Sequence, residues 1–222
     1  MTINIKIENI FELIELIKKR PGLYIADSNI TSIQNFIYGY DLACLVNNIE
    51  HKNVFPLFWY FHEWIKEKYN WSSSTAGWKN IILQENNNDE IKSLDVFFAQ
   101  IEEFKKLHPI SIEYIELTKE NLEFNNSENC KMKTYNPKTK LFDLPIYTKA
   151  DRVFLVEHSH DFGFSIFVNY KGKLVGNDWT RRFENSEKGK LYTNNLFGTN
   201  NNWKVIQGDL IQKINEIVRY SS

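Results

Sequence analysis

Between Val153 and Trp179 three strand-like runs are separated by two clusters of turn-forming residues. Phe164, Ile166, Val168 and Tyr170 recur at every second position, with Ser165, Phe167 and Asn169 between them. An extended backbone sends successive side chains to opposite sides, so this spacing predicts a strand over 164–170. Val153–Glu157 reads as a strand before it, joined through the turn formers Ser159–Gly163. Leu174–Trp179 reads as a strand after it, joined by a tight turn at Lys171-Gly172. Three strands so connected form an antiparallel meander. A meander needs cover on one face, which the rest of the chain must supply.

The first half offers helices. Ile10, Leu13, Ile14 and Ile17 recur at helical spacing. Pro21 stops that helix, because the residue before a proline is driven out of the α region, and Gly22 then allows a sharp turn. Ile33, Phe36, Ile37, Tyr40 and Cys44 mark a second helix, with Thr31 as its cap. A third, from Pro56 to Tyr69, carries Phe58, Trp59, Phe61, Trp64 and Ile65, with Pro56 in its first turn. A fourth runs from Asp89 to Leu107, with acids at its start and lysines at its end, as the helix dipole favours. Ile110–Leu117 alternates as a strand would. Residues 118–149 show little periodicity and read as a long irregular connection, either a functional loop or a seam between lobes. A closing helix spans Asp209–Arg219, with Leu210, Ile211, Ile214, Ile217 and Val218 on its apolar side. The expected fold is α+β: one domain with a mostly helical lobe over 1–118 and a lobe of β-meander plus helix over 150–222.

A net charge of −1 over 222 residues gives no bulk attraction to nucleic acid or an anionic membrane. No apolar run approaches the ~18 residues of a transmembrane helix. Glu8, Glu12 and Glu15 interrupt the N-terminus where a signal peptide would be apolar. Cys44 and Cys130 stand far apart in no paired motif and read as free thiols of a reducing compartment, so the expected location is the cytoplasm. The tracts Asn86–Asn88 and Asn200–Asn202 suit exposed turns, where Asn tolerates the left-handed conformation. Aromatics at 15% imply a ring-rich core, with some Tyr and Trp left for a recognition surface.

Arg20-Pro21-Gly22-Leu23-Tyr24-Ile25, behind Lys18-Lys19, resembles the opening of the ATPase domain of type II topoisomerases. In that family the next helix carries a Glu and an Asn that handle water and Mg²⁺. Here Phe36–Asn48 has no Glu-x₃-Asn pair, and nine glycines leave no phosphate cradle, so ATP binding is not expected. The same run is followed by Ser32–Tyr40 with its Gly39-Tyr40, by an aromatic third helix, and by Gly77-Trp78 before an apolar run. In this it is similar to uncharacterised small bacterial proteins of the toxin-immunity kind. That resemblance covers the first third of the chain and implies a protein partner, a cognate toxin.

Two stretches hold chemistry-bearing residues. Glu157-His158-Ser159-His160-Asp161 contains metal-ligand types. If its strand continued, His158 and His160 would share a face, with Asp178 approaching from the third strand. A metal-dependent hydrolase using Glu157, His158, His160, Asp161 and Asp178 is therefore the alternative function. The same residues suit an exposed hairpin turn, and no metal is the leading expectation. Asp178, Trp179, Arg181 and Arg182 are the partner-binding candidates, because Trp and Arg anchor interfaces. No Ser or Cys is paired with a base in the sequence, and Gly-x-Ser-x-Gly is absent. The leading expectation is a non-enzymatic binding protein without cofactor, an immunity protein that occludes a toxin's active site.

Overall fold

The computed structural model describes residues 7–47, 49, 52–72, 77–127, 134–136, 141–143, 149–177, 183–200 and 202–219. The fold is α+β, with helices in the N-terminal part and a meander and closing helix in the C-terminal part. The chain divides into two compact units, Met1–Leu107 and His108–Ser222. The strand near 110–117 therefore falls with the second unit rather than with the helices through 118.

In the first unit, α1 (Ile10–Lys19) begins at Asn9, whose side-chain oxygen accepts from the N–H groups of Phe11 and Glu12. The Glu12 carboxylate reaches back to accept from the Glu8 N–H at 2.7 Å and from Asn9 Nδ2 at 2.9 Å, which ties the residues before the helix to its first turn. Gly22 makes no sharp turn; it lies in the short helix α2 (Pro21–Tyr24), which has Pro21 in its first turn. Helix α3 (Ile30–Val46) is capped by Asn29, two residues earlier than expected. Thr31 instead binds Glu90, through its hydroxyl at 2.7 Å and its N–H at 3.1 Å. Pro56 also stands outside its expected helix. The Phe55–Pro56 bond is cis, a 3₁₀ turn covers Phe58–Tyr60, and α4 spans only Phe61–Lys68. Helix α5 (Gly77–Glu85) leads through Asn87 and Asn88, both left-handed, into α6 (Glu90–Phe104) with Asp89 as its cap. Asn86 departs from the exposed-turn expectation: it is buried and donates to the Ile82 carbonyl at 2.8 Å.

Rings build this core. Phe61 is fully buried and meets Trp78 and Phe97 edge-on, with centroids at 5.8 and 5.7 Å. Trp78 stacks on Phe97 at 4.7 Å. Offset and edge-to-face pairs of this kind add about 0.5–1.5 kcal/mol each beyond their burial.

The second unit is organised around a sheet. Its strands are β1 (Pro109–Glu116), β4 (Arg152–His158), β5 (Gly163–Tyr170), β6 (Lys173–Asn177) and β7 (Lys204–Val205), in the antiparallel order β6-β5-β4-β1-β7. The meander is thus extended on one side by β1. Between β1 and β4 lie helix α7 (Lys119–Asn125) and a separate pair, β2 (Thr134–Asn136) with β3 (Leu141–Asp143), so the expected irregular connection holds local structure. Thr118 and Asn121 form a capping box at the start of α7.

One sheet face packs Val153, Leu155, Ile166, Val168 and Ile115 against Leu196 and Phe197 of α8 (Ser186–Phe197). Gly189 makes that approach close, since a Cβ there would stand 2.6 Å from Leu155 Cδ1. The opposite face was expected to need no cover, yet Ser165, Phe167 and Asn169 are also buried. Helix α9 (Leu210–Val218) reaches this face, where Asn169 Nδ2 donates to the Ile217 carbonyl at 2.9 Å. No helix among the described residues is long and apolar enough to cross a membrane.

Candidate functional site

The cluster singled out in the sequence lies where β4 turns into β5. Strand β4 ends at His158, and Ser159–Phe162 close the hairpin with the Phe162 N–H on the Ser159 carbonyl at 3.3 Å. The two central residues, His160 and Asp161, have φ of 58° and 53°. Positive φ at both central positions marks the primed turn that matches strand twist, and Asp and His are enriched in that conformation. Turn geometry thus accounts for both residue types.

The polar groups here are engaged with one another. Ser111 Oγ donates to Glu157 Oε2 at 2.8 Å. The His108 N–H donates to Ser159 Oγ at 3.0 Å, and the Ser159 N–H returns to the His108 carbonyl at 2.9 Å. The rings of His108 and His160 meet edge-on with centroids 6.1 Å apart.

His158 does not share a face with His160. It is 2% exposed, meets the Phe162 ring edge-on and places Nε2 2.8 Å from Ser165 Oγ. Burial pushes its pKa down to about 3, so the ring is neutral at neutral pH. A Ser–His contact of this length is what a nucleophile and base would show. Ser165 is fully buried, however, so the bond satisfies two core polar groups. Glu157 projects from the other side of β4, because strand neighbours alternate. The expected ligand set is therefore split: Glu157 lies on the α8 face of the sheet, His158 on the opposite face with Ser165, and His160 and Asp161 in the turn. Among the described residues no group of three or more His, Cys, Asp or Glu is placed to hold a metal ion. Asp178 lies outside the described residues.

The partner-binding candidates Asp178, Trp179, Arg181 and Arg182 also lie outside the described residues, as does Cys130; Cys44 is a buried free thiol. Phe183, just after them, pairs with Phe164 through two backbone hydrogen bonds of 2.8 and 2.9 Å. Phe164 in turn stands opposite Glu157.

One exposed residue at this sheet end was not anticipated. The β1–β4 register slips between Pro109, opposite His158, and Ser111, opposite Glu157. Ile110 is the extra residue of this bulge and is 53% exposed. Bulges re-aim a side chain out of the ladder's alternation, which no reading of residue types along β1 reveals. The arrangement is an apolar side chain in water, bordered by the interlocked pairs Ser111–Glu157 and His108–Ser159 and by the His160-Asp161 turn. No protein-family model, curated protein or solved structure matches this chain.

Proposed function

We propose that this chain works by binding another protein at the Ile110 end of its sheet, with no reaction catalysed and no cofactor. In its most specific form it is a cytoplasmic immunity protein that occludes the active site of a bacterial toxin. The observation that supports this reading is the bulge that turns Ile110 out to water amid polar groups already committed to one another. An apolar centre within a polar rim is the anatomy of a contact surface. Asp178, Trp179, Arg181 and Arg182 are proposed to add anchoring contacts. The resemblance of the N-terminal third to immunity proteins supplies the partner class.

The test takes the protein encoded next to the gene for this chain, which this reading requires to be a toxin. Stoichiometric inhibition is expected, weakened at least about tenfold by Ile110→Asp, since a central contact is typically worth more than about 1.4 kcal/mol. Failure to form a complex with that toxin would sink the immunity reading. Stoichiometric zinc or manganese in the purified protein, lost on His160→Ala or Asp161→Ala, would overturn the non-enzymatic reading in favour of the hydrolase.

A further inference from the structure

The outer face of α3 carries a stripe that nothing in the second unit's chemistry requires. Tyr38, Leu42 and Leu45 follow one another at helical spacing, Val46 flanks them, and all are exposed, Leu45 to 76%. Ile49 prolongs the stripe just past the helix end, where its N–H donates to the Cys44 carbonyl at 2.9 Å. At 100° per residue the four helical members fall within about a third of the circumference. They lie away from the buried side, which holds Ile30, Ile33, Ile37 and Cys44.

Size and charge both narrow what covers this face. The five residues are 54–76% exposed and together leave at most roughly 550 Å² in water, within the range of the largest apolar patch on a typical monomer. Asp41 is the only Asp, Glu, Lys, Arg or His among the 17 residues of α3, so the stripe offers no charge pattern for an oppositely charged partner to read. An identical stripe is its natural complement. In a two-fold pair every contact occurs twice. Antiparallel helices crossing between Leu42 and Leu45 set Leu42 of one copy against Leu45 of the other, and Tyr38 against Ile49. Asp41 then lies beside the partner's Val46 rather than beside a second Asp41. Such a pair removes at most roughly 1,100 Å² from water, which places it at the small, weakly associating end of specific interfaces.

We infer that the exposed stripe of α3 is a self-association face on which a second copy of this chain packs antiparallel. The inference stands apart from the proposed function, which uses the sheet end around Ile110. Sedimentation equilibrium of the full chain from about 1 to 200 µM tests it, a range suited to an interface at the small end of the specific class. The weight-average mass is expected to rise from 26.4 kDa towards twice that value. Leu42→Asp combined with Leu45→Asp should hold it at the monomer mass throughout, whereas Leu191→Asp, at an exposed position on α8, should behave as the parent. A measurement that needs no variant is amide exchange, with protection over residues 38–47 rising with concentration. A parent chain that stays monomeric over the whole range, an association untouched by the double substitution, or exchange in α3 independent of concentration would each overturn the inference.

Discussion

Gly198 ends α8, and replacing it with alanine separates a conformational cost from a packing cost. Its φ of 60° and ψ of 35° lie in the left-handed region, where a Cβ costs roughly 1–2 kcal/mol. An added Cβ would also stand 2.8 Å from Phe124 Cγ and 2.9 Å from Cδ2. Carbon atoms in comfortable contact sit about 3.5–4.0 Å apart. Phe124 packs against the core on the α8 side of the sheet, on a helix tied to α8 by Asn121 and Asn125. Those two amides donate to the carbonyls of Phe197 and Leu196, each at 3.0 Å. The ring therefore retreats only by disturbing α7, and overpacking of this kind costs about 1–3 kcal/mol. Gly198→Ala should lose about 2–5 kcal/mol in all. Gly172→Ala is the control, because φ there is +76° and nothing lies within 4 Å of the added Cβ, leaving only the conformational part. In urea, at a slope of about 1.5 kcal/mol per M, the midpoint should fall by about 2 M for Gly198→Ala and by about 1 M for Gly172→Ala. Equal shifts would refute the contact with Phe124. A shift below about 0.3 M in both would refute the left-handed cost itself.

Two further outcomes follow from buried polar groups. Burial holds His158 at a pKa of about 3, against about 6.5 in an unfolded chain, so the unfolded state takes up the proton first as pH falls. Its stability contribution is complete above about pH 6.5 and declines towards pH 3, by up to about 1.4 kcal/mol per pH unit. His158→Gln should flatten the pH dependence of the urea midpoint between pH 4 and 7, and an unchanged profile would count against a neutral, buried ring. Asn169→Ala removes the donor to the Ile217 carbonyl and should cost about 1–3 kcal/mol, with faster amide exchange concentrated in α9. Unaltered exchange in α9 would show that its docking does not depend on this bond.

The meander was legible because alternation at 164–170 has only one backbone that fits it, and the closing helix because Leu210, Ile214, Ile217 and Val218 repeat at helical spacing. Helix α8 was not legible. Its buried positions are Gly189, Thr193, Leu196 and Phe197, a helical period written half in residues that carry no apolar signal. Gly189 is small because Leu155 lies beneath it, a demand set by a strand more than thirty positions earlier. The long stretch after Thr118 concealed α7 in the same way, since Asn121 and Asn125 look like loop formers until the carbonyls of α8 are in place to receive them.

The candidate site divides along the same line. That a turn follows Glu157 at Ser159–Gly163 was readable from the residues alone, since local conformational preference is a property of a few neighbours. Which way His158 faces, and that a bulge turns Ile110 out to water, were decided only when β1 paired with β4 across more than forty positions. The sequence by itself determined the strand period, the helix faces and the turns, because each depends on sterics and spacing within about a dozen residues. Tertiary structure alone decided register, burial of both sheet faces and the neighbours of each polar group. These follow from pairings between distant segments, and no short-range pattern encodes them.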